Sequence, residues 1–217
     1  MEFVGSKLSE HNKIKIERHL KAERVQLEEE GIDSQKINES LSLRRNELEN
    51  LAILKDWTCP RVRFGKTELQ MPIITLGGMR QQQTWRPPET MSLDDINKEC
   101  QKNFEEIADR AIQLGINHFE TARGYGSSEL QFGPVIKKYS REAIILQTKV
   151  VPRPDADEFR KILETSFNKL QLKDEDSYVD LFSFHGINYM EQIDWILKPG
   201  GCMDVVKEYK AKGKIRH

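Results

Sequence analysis

The chain has few cysteines, no long apolar run and no excess of charge of either sign. Its three cysteines, Cys59, Cys100 and Cys202, lie far apart and form no CxxC pair or Cys/His ligand spacing. This spacing argues against a disulfide framework or a zinc site and favours free thiols in a reducing compartment. No segment approaches the roughly 18 consecutive apolar residues of a membrane span, and the first residues contain no apolar signal-peptide core. We therefore expect a soluble cytoplasmic protein without a metal site.

The charges are nearly balanced, with 34 lysines and arginines against 35 acidic residues and a formal net charge of -1 at pH 7. Such a chain has no overall field that would attract nucleic acid or an anionic membrane, so we expect neither as a partner. The length of 217 residues allows one ordinary domain with an appendage, or two small domains.

Residues 1–56 form a charged segment with sparse apolar residues at helical spacing. The apolar positions fall on two stripes, Ile16, Leu20 and Leu27 on the first and Ile37, Leu41 and Leu48 on the second. Ser9 is placed to cap the first helix and Gly31 to end it, while Asp33 and Ser34 can cap the second. The pattern predicts an α-helical hairpin whose thin apolar stripes pack on one another or on a partner.

Residues 61–217 alternate apolar runs with amphipathic segments. The segment 61–71 predicts a β-hairpin that turns at Gly65-Lys66-Thr67. The expected strands are 73–79, 117–122, 143–150 and 179–186, and the expected helices lie near 92–114, 128–139, 156–170 and 203–212. Apolar strands that alternate with helices indicate a parallel sheet covered by helices. The last four residues, KIRH, predict the start of a fifth strand.

These units supply about half of a closed (β/α)8 barrel, which typically needs about 250 residues. The predicted fold class is α/β, a partial (β/α)8 TIM barrel with an N-terminal β-hairpin, preceded by the α-helical hairpin. The expected domains are residues 1–56 and residues 61–217. Unpaired parallel edges are an association hazard, so a truncated gene product is favoured over a natural half-barrel.

Polar side chains follow the predicted strands at their carboxyl ends, where barrels of this kind carry their chemistry. Glu120 and Tyr125 follow the second strand, Lys149 ends the third and His185 ends the fourth. An ammonium group near a phenol stabilises the phenolate, and a carboxylate keeps that ammonium charged. An imidazole can hydrogen-bond the reacting oxygen. The set predicts a proton-donor site.

The stretch INHFETARGYGSSELQFG, followed by LQTKV and FSFHG at matching intervals, resembles the aldo/keto reductase superfamily. The resemblance covers about residues 61–217. It places the segment RVRFGKTELQMP at the barrel floor and ITLGGM at the first strand. The function that it implies is reduction of a small-molecule aldehyde or ketone by a hydride from NADP(H) or NAD(H).

The resemblance also implies roles for the four polar residues. Tyr125 is the general acid/base, Lys149 stabilises its phenolate and His185 orients the carbonyl, while Glu120 stands where the family usually has Asp. The extra methylene moves the carboxylate by roughly 1.5 Å. A misplacement of about 1 Å can cost on the order of 100-fold in rate. We therefore expect weakened or specialised catalysis.

The same resemblance brings the backbone of Gly77, Gly78 and Met79 to the nicotinamide ribose, although two adjacent glycines also suit a tight turn. Trp85 either lines a substrate pocket or packs on its own loop. The family takes further cofactor contacts from loops after later strands. We therefore expect a chain that ends at His217 to hold NADP(H) poorly.

The other polar residues around Tyr125 have simpler explanations. Arg123 is expected to form an ion pair with Glu129, and Ser127 and Ser128 are expected to cap the following helix. None of the four is assigned to catalysis.

Two alternatives to an active reductase remain open. One is a reductase-like binding or regulatory module without turnover, and the other is an adaptor that acts through residues 9–55. The stretch IERHLKAERVQLEEEGIDSQKINESLSLRR is weakly similar to a helical hairpin of certain spliceosomal proteins. That similarity allows a protein partner for this segment.

Overall fold

The computed structural model describes residues 10–55, 58–174 and 177–217. The chain divides into two compact units, the first ending at Thr58 and the second spanning Cys59–His217. The helices are α1 (Glu10–Glu29), α2 (Ser34–Lys55), α3 (Lys98–Gln113), α4 (Ser128–Lys137), α5 (Ala156–Lys169), α6 (Met190–Leu197) and α7 (Cys202–Ala211). The strands are β1 (Arg61–Arg63), β2 (Gln70–Pro72), β3 (Leu76–Gly77), β4 (His118–Glu120), β5 (Ile145–Val150) and β6 (Leu181–Phe184). None of these helices combines the length and apolar character that crossing a membrane requires.

Helices α1 and α2 form the predicted helical hairpin. Gly31 follows α1 with a φ of +75°, a left-handed conformation that glycine adopts without steric cost. Asp33 then caps α2, because its carboxylate accepts a hydrogen bond from the backbone N–H of Gln35 at 2.9 Å. The two helices pack on each other through the buried side chains of Ile16, Leu20, Ile37 and Leu41. The expected first cap, Ser9, lies outside the described residues.

Strands β1 and β2 pair antiparallel, which confirms the predicted β-hairpin. The turn between them is a short 3-10 segment, Gly65–Thr67. Met71 of β2 packs against Ile145 and Leu181, the first residues of β5 and β6. The hairpin therefore covers the edge of the sheet where the strands begin, opposite the edge where they end.

Strands β3 to β6 form one parallel sheet in the order β3-β4-β5-β6. Lys149 of β5 stands opposite Ser183 of β6, and Val179 forms a parallel bridge with Ile215. This bridge is the start of the predicted fifth strand. The parallel sheet with helices between its strands confirms the partial (β/α)8 barrel.

Side chains of β5 alternate between two environments, as the pleat of a strand requires. Leu146 and Val150 are buried in the main core, together with Phe159 of α5. Ile145 lies on the other face with Met71. Lys149, four residues after Ile145 in the same strand, shares that second face and sits at the opposite end of it.

Helix α3 begins at Lys98 and not near residue 92, where the apolar pattern placed its start. Ser92 and Asp95 close a separate 3-10 turn with reciprocal capping hydrogen bonds. Asn97 then caps α3, accepting a hydrogen bond from the backbone N–H of Glu99 at 2.9 Å. Local capping therefore decides this boundary, and the apolar stripe does not.

Two further elements differ from the expected pattern. Helix α6 was missed because eight residues are too few for a visible apolar stripe; the side chain of Gln192 caps it, accepting from the backbone N–H of Tyr189 at 3.1 Å. Strand β3 is shorter than the expected 73–79, and Ile73 and Ile74 lie before it, exposed.

Candidate active site

The four polar residues picked out from the sequence meet at the edge of the sheet where the strands end. Glu120 is the last residue of β4, and Lys149 lies near the end of β5. His185 directly follows β6, and Tyr125 lies in the loop between β4 and α4. Parallel strands all end at the same edge, so the topology of the sheet alone brings three of these side chains together.

Glu120 and Lys149 form a direct ion pair between neighbouring strands. The ammonium of Lys149 also donates a hydrogen bond to the backbone carbonyl of Thr121 at 2.9 Å. Burial lowers the pKa of Lys149 to about 8, and the carboxylate of Glu120 opposes that shift because it favours the charged form.

The rings of Tyr125 and His185 lie edge to face, with centroids 5.3 Å apart and planes at 89°. The ammonium of Lys149 stands 4.6 Å from the centroid of the Tyr125 ring, within the range of a cation–π interaction. Tyr125 therefore has an imidazole on one side and a cation on its face.

His185 is held by its backbone, whose N–H donates to the carbonyl of Val150 at 2.9 Å. Burial lowers the pKa of its imidazole, and the charge of Lys149 lowers it further. The ring is therefore neutral at physiological pH. Its Nδ1 is buried and has no hydrogen-bond partner among the described residues. A Cβ on Gly124 would lie 3.3 Å from Cε1 of His185, so a glycine there lets the loop pass close to the ring.

The two adjacent glycines at the end of β3 have different surroundings. A Cβ on Gly78 would lie 2.4 Å from the ring of Phe132 and 2.6 Å from the hydroxyl of Ser128, so close packing explains that glycine. Gly77 meets only a carboxylate oxygen of Glu120, at 4.0 Å. The backbones of Gly77 and Met79 belong to exposed residues beside the site. Their contact with a nicotinamide ribose stays a prediction.

The predicted ion pair between Arg123 and Glu129 is confirmed, with an N–O distance of 3.7 Å. Glu129 is 1% exposed, and one of its carboxylate oxygens accepts a hydrogen bond from the hydroxyl of Thr148 at 2.7 Å. Burial raises the pKa of the Glu129 carboxyl, and Thr148 and Arg123 oppose that rise.

The expected capping role of Ser127 and Ser128 is wrong for their side chains. Ser127 stands at the N-cap of α4, but its hydroxyl makes no capping hydrogen bond. It donates instead to the side chain of Gln131 at 2.9 Å. The hydroxyl of Ser128 donates to the carbonyl of Gly78 at 3.0 Å. Both hydroxyls are used to hold the segment that follows β3.

A row of polar side chains below the ion pair was missed. His118 contacts the hydroxyl of Thr75 at 2.8 Å and the side-chain oxygen of Gln147 at 3.0 Å. Gln147 donates to the hydroxyl of Ser183 at 3.0 Å. His118 precedes Glu120 by two positions, as Gln147 precedes Lys149, so the row lies one layer deeper on the same face. The sequence signal for this row was the presence of polar residues inside otherwise apolar strands.

Trp85 is half exposed in the loop between β3 and α3. A Cβ on Gly126 would lie 2.8 Å from the Cα of Trp85, so the backbone of this loop passes directly beside the Tyr125 segment. Among the described residues, no group of three His, Cys, Asp or Glu side chains could hold a metal ion. The three cysteines are free thiols.

A parallel sheet wrapped by helices, with a carboxylate, a lysine, a tyrosine and a histidine at the ends of its strands, is characteristic of oxidoreductases built on a (β/α)8 barrel. The chain belongs to the aldo/keto reductase family: the sequence model of that family matches residues 73–217.

Relatives agree with this assignment. An uncharacterised oxidoreductase of Bacillus subtilis, YqkF, is 31% identical over 120 residues, which are 51% of this chain and 37% of the relative. Two solved structures share the fold. A Pseudomonas aeruginosa protein described as an aldo-keto reductase matches with a TM-score of 0.57 and 22% identity, over 74% of this chain and 60% of that one. The thermostable aldo-keto reductase Tm1743, solved with the inhibitor epalrestat, matches with a TM-score of 0.55 and 24% identity, over 72% and 52%. The chain thus spans less than two thirds of the length of these relatives.

Proposed function

We propose that the protein reduces an aldehyde or ketone with NADPH or NADH, and that Tyr125 is the proton donor. The observation that carries this proposal is the position of Tyr125, with the ammonium of Lys149 on its ring face and the imidazole of His185 at its edge. A phenol, a cation and a neutral imidazole together can protonate an oxygen on which negative charge develops.

The bound nicotinamide would supply a hydride to the carbonyl carbon. Tyr125 would give its hydroxyl proton to the carbonyl oxygen, and the positive charge of Lys149 would stabilise the phenolate that remains. Glu120 keeps that ammonium charged despite its burial, because the two groups are in contact. Tyr125 would thus donate the proton, Lys149 would stabilise the phenolate, and Glu120 would keep Lys149 charged.

Neutral His185 would orient the substrate. Its Nδ1 is buried on the side of Gly124, so the substrate would be held through the other ring nitrogen. A neutral imidazole carries one N–H donor, which can hold a carbonyl oxygen beside the hydroxyl of Tyr125. This would fix the carbonyl in the orientation that the reaction needs.

The residues at this edge of the sheet fit the reacting end of a nicotinamide cofactor. Gly77 and Met79 are exposed next to Glu120 and would pass their backbone along the ribose. Gly78 is buried by packing and would act by holding that turn in place. We assign the cofactor contact to Gly77 and Met79, with Gly78 as their support, and binding experiments decide between NADP(H) and NAD(H).

We further propose that turnover is slow. Glu120 replaces the usual aspartate, and the ammonium of Lys149 is shared between this carboxylate and the carbonyl of Thr121. The hydrogen bond to Thr121 competes with Tyr125 for the ammonium of Lys149.

The test uses the full chain and two tyrosine variants. NADPH and NADH are titrated while tryptophan fluorescence is followed, and carbonyl reduction is then measured with a panel of small aldehydes and ketones. Tyr125→Phe should abolish reduction and leave cofactor binding intact. The control is Tyr209→Phe, which removes the hydroxyl of a tyrosine on α7 that contacts Glu164 at 3.1 Å. Reduction that survives Tyr125→Phe would exclude Tyr125 as the donor, whereas cofactor binding without any turnover would favour a regulatory module.

An adaptor role is the second candidate. Helices α1 and α2 form a compact unit of their own, and Leu43 is 73% exposed on it. An apolar side chain at that exposure suits contact with a protein partner in the cytoplasm. A partner captured by the full chain but lost with Leu43→Asp would support this role, and capture that persists without residues 9–55 would exclude it.

A further inference from the structure

Gln131 is a fully buried glutamine on α4 that the proposed reaction does not use. Its side-chain oxygen accepts hydrogen bonds from the backbone N–H of Gln83 at 2.7 Å and from the hydroxyl of Ser127 at 2.9 Å. Its amide nitrogen donates to the carbonyl of Gln81 at 3.1 Å and contacts the thiol of Cys100 at 3.6 Å. Every hydrogen-bonding position of the side chain is therefore occupied, and two of its four partners, Gln81 and Gln83, lie in one loop.

That loop, residues 81–97, joins β3 to α3 and is called here the β3–α3 loop. The hydroxyl of Ser127 accepts hydrogen bonds from the backbone N–H groups of Gln83 and Thr84, at 3.0 and 3.1 Å. The backbone N–H of Ser127 donates in turn to the carbonyl of Thr84 at 2.9 Å. Ser127 and Gln131, named here the Ser127–Gln131 clamp, thus bind one face of the loop.

The same contacts bring the loop against the segment that carries Tyr125. Gly126 has a φ of +56°, and a Cβ there would lie 2.0 Å from the carbonyl oxygen of Thr84. The residue directly after Tyr125 is therefore in close contact with the loop. Movement of residues 83–85 away from α4 would leave the backbone after Tyr125 without this support.

The buried hydrogen bonds of Ser127 and Gln131 favour one position of the β3–α3 loop on α4. A buried amide with all its hydrogen bonds made is tolerated, but the loss of one partner leaves the others unpaired inside the protein. The loop can leave α4 only by breaking several of these bonds together. Two buried side chains therefore hold the loop in one position relative to Tyr125.

We propose that the Ser127–Gln131 clamp positions Tyr125 for proton transfer by holding the β3–α3 loop against the backbone of Gly126 and Ser127. Ser127 and Gln131 are positioning residues, since neither reaches the reacting atoms. The inference rests on the proposed role of Tyr125 as proton donor. The effect of the clamp on the loop and on Tyr125 can be measured without following the reaction.

The experiment compares three variants of the full chain. Gln131→Leu keeps the approximate volume and removes the clamp's hydrogen bonds. The control is Gln192→Leu, which removes a buried glutamine whose oxygen accepts from the backbone N–H groups of Asn188 and Tyr189 at another loop. Ser127→Ala is the milder second variant, which removes only the hydroxyl and decides the question if Gln131→Leu does not fold.

Two signals are followed by NMR. The first is the ring resonance of Tyr125 in protein with labelled tyrosine, assigned by its disappearance in Tyr125→Phe. The second is the amide hydrogen exchange of Thr84 and Ser127. In the clamp variants we expect the Tyr125 resonance to shift or broaden and both amides to exchange roughly tenfold faster, as loss of about one hydrogen bond requires. Gln192→Leu should change neither signal.

Two results would overturn the proposal. In the first, the amides of Thr84 and Ser127 exchange faster in Gln131→Leu while the Tyr125 resonance stays unchanged, which would mean that the clamp holds the loop without positioning Tyr125. In the second, Gln192→Leu alters the Tyr125 resonance as much as Gln131→Leu, which would indicate general destabilisation. A failure of the reductase proposal would show instead as absent carbonyl reduction in the unaltered chain, with these NMR results intact.

Discussion

The carboxylate of Glu120 contacts the ammonium of Lys149, although the residue opposite Glu120 in the neighbouring strand is Gln147. The pair therefore runs diagonally, two positions along β5. A glutamate has the length for such a diagonal contact, and an aspartate would be shorter by one methylene. The length of the Glu120 side chain thus suits the register of these two strands.

The pKa of Lys149 should depend on Glu120. Burial lowers the pKa of Lys149 to about 8, and the neighbouring carboxylate works against this shift. In Glu120→Gln the anion is gone, so we expect the pKa of Lys149 to fall further. NMR titration of the labelled lysine side chains measures it, with exposed Glu142→Gln as the control. A pKa of Lys149 that rises or stays constant in Glu120→Gln would contradict the ion pair.

The adjacent glycines Gly77 and Gly78 should respond differently to alanine. A Cβ on Gly78 would overlap the ring of Phe132 and the hydroxyl of Ser128, whereas a Cβ on Gly77 meets only one oxygen at 4.0 Å. Overpacking of this kind costs about 1–3 kcal/mol. We expect urea unfolding to show that loss for Gly78→Ala and almost none for Gly77→Ala. Equal losses would mean that both positions are limited by backbone conformation.

Glu129 should make the protein less stable as the pH rises. Its folded-state pKa is raised by burial above the ordinary value of 4.5, so the folded state holds its proton more tightly than the unfolded state. The stabilisation is fully present below pH 4.5 and is lost as the pH rises through the raised pKa. Glu129→Gln stays neutral at every pH.

Urea unfolding at a series of pH values tests this dependence. As the pH rises from 4.5 through the raised pKa of Glu129, we expect the free energy of unfolding of the unaltered chain to fall relative to that of Glu129→Gln. The exposed carboxylate of Glu142 offers the control, because Glu142→Gln should keep the dependence of the unaltered chain. Parallel curves for the unaltered chain and Glu129→Gln would show that Arg123, 3.7 Å away, keeps Glu129 charged.

The helical hairpin should lose its structure independently of the barrel unit. Ile37 is 1% exposed in the seam between α1 and α2, and removing such a side chain typically costs about 2–5 kcal/mol. In Ile37→Ala we expect the helical circular dichroism to drop and amides of residues 10–55 to exchange faster. Leu43→Ala, at an exposed position, should change little. Faster exchange throughout Cys59–His217 would show that the two units unfold together.

Periodic patterns made most of the fold predictable. The stripe of Phe104, Ala108 and Ala111 forms the buried face of α3, and continuous apolar runs became parallel strands. The site followed from topology, because residues at the ends of neighbouring parallel strands meet at one edge. Glu120 and Lys149 are in contact for that reason.

Contacts between distant segments could not be read from local pattern. Ser127 has the sequence context of a helix cap, yet its hydroxyl binds Gln83, 44 positions away. Gln131 occupies a place where the neighbouring residues are apolar, and its partners lie up to 50 positions earlier in the chain. The spacing of residues in the sequence does not predict these hydrogen bonds, because they depend on how the β3–α3 loop crosses α4.

The parallel sheet also has a kinetic consequence. Pairing Leu76 with Phe119 requires the whole connection through the β3–α3 loop and α3 to close first, and such long closures slow folding. Helices α1 and α2 are joined by a short turn and need only local contacts, which form within about microseconds. During synthesis we therefore expect the helical hairpin of α1 and α2 to fold before β3 pairs with β4.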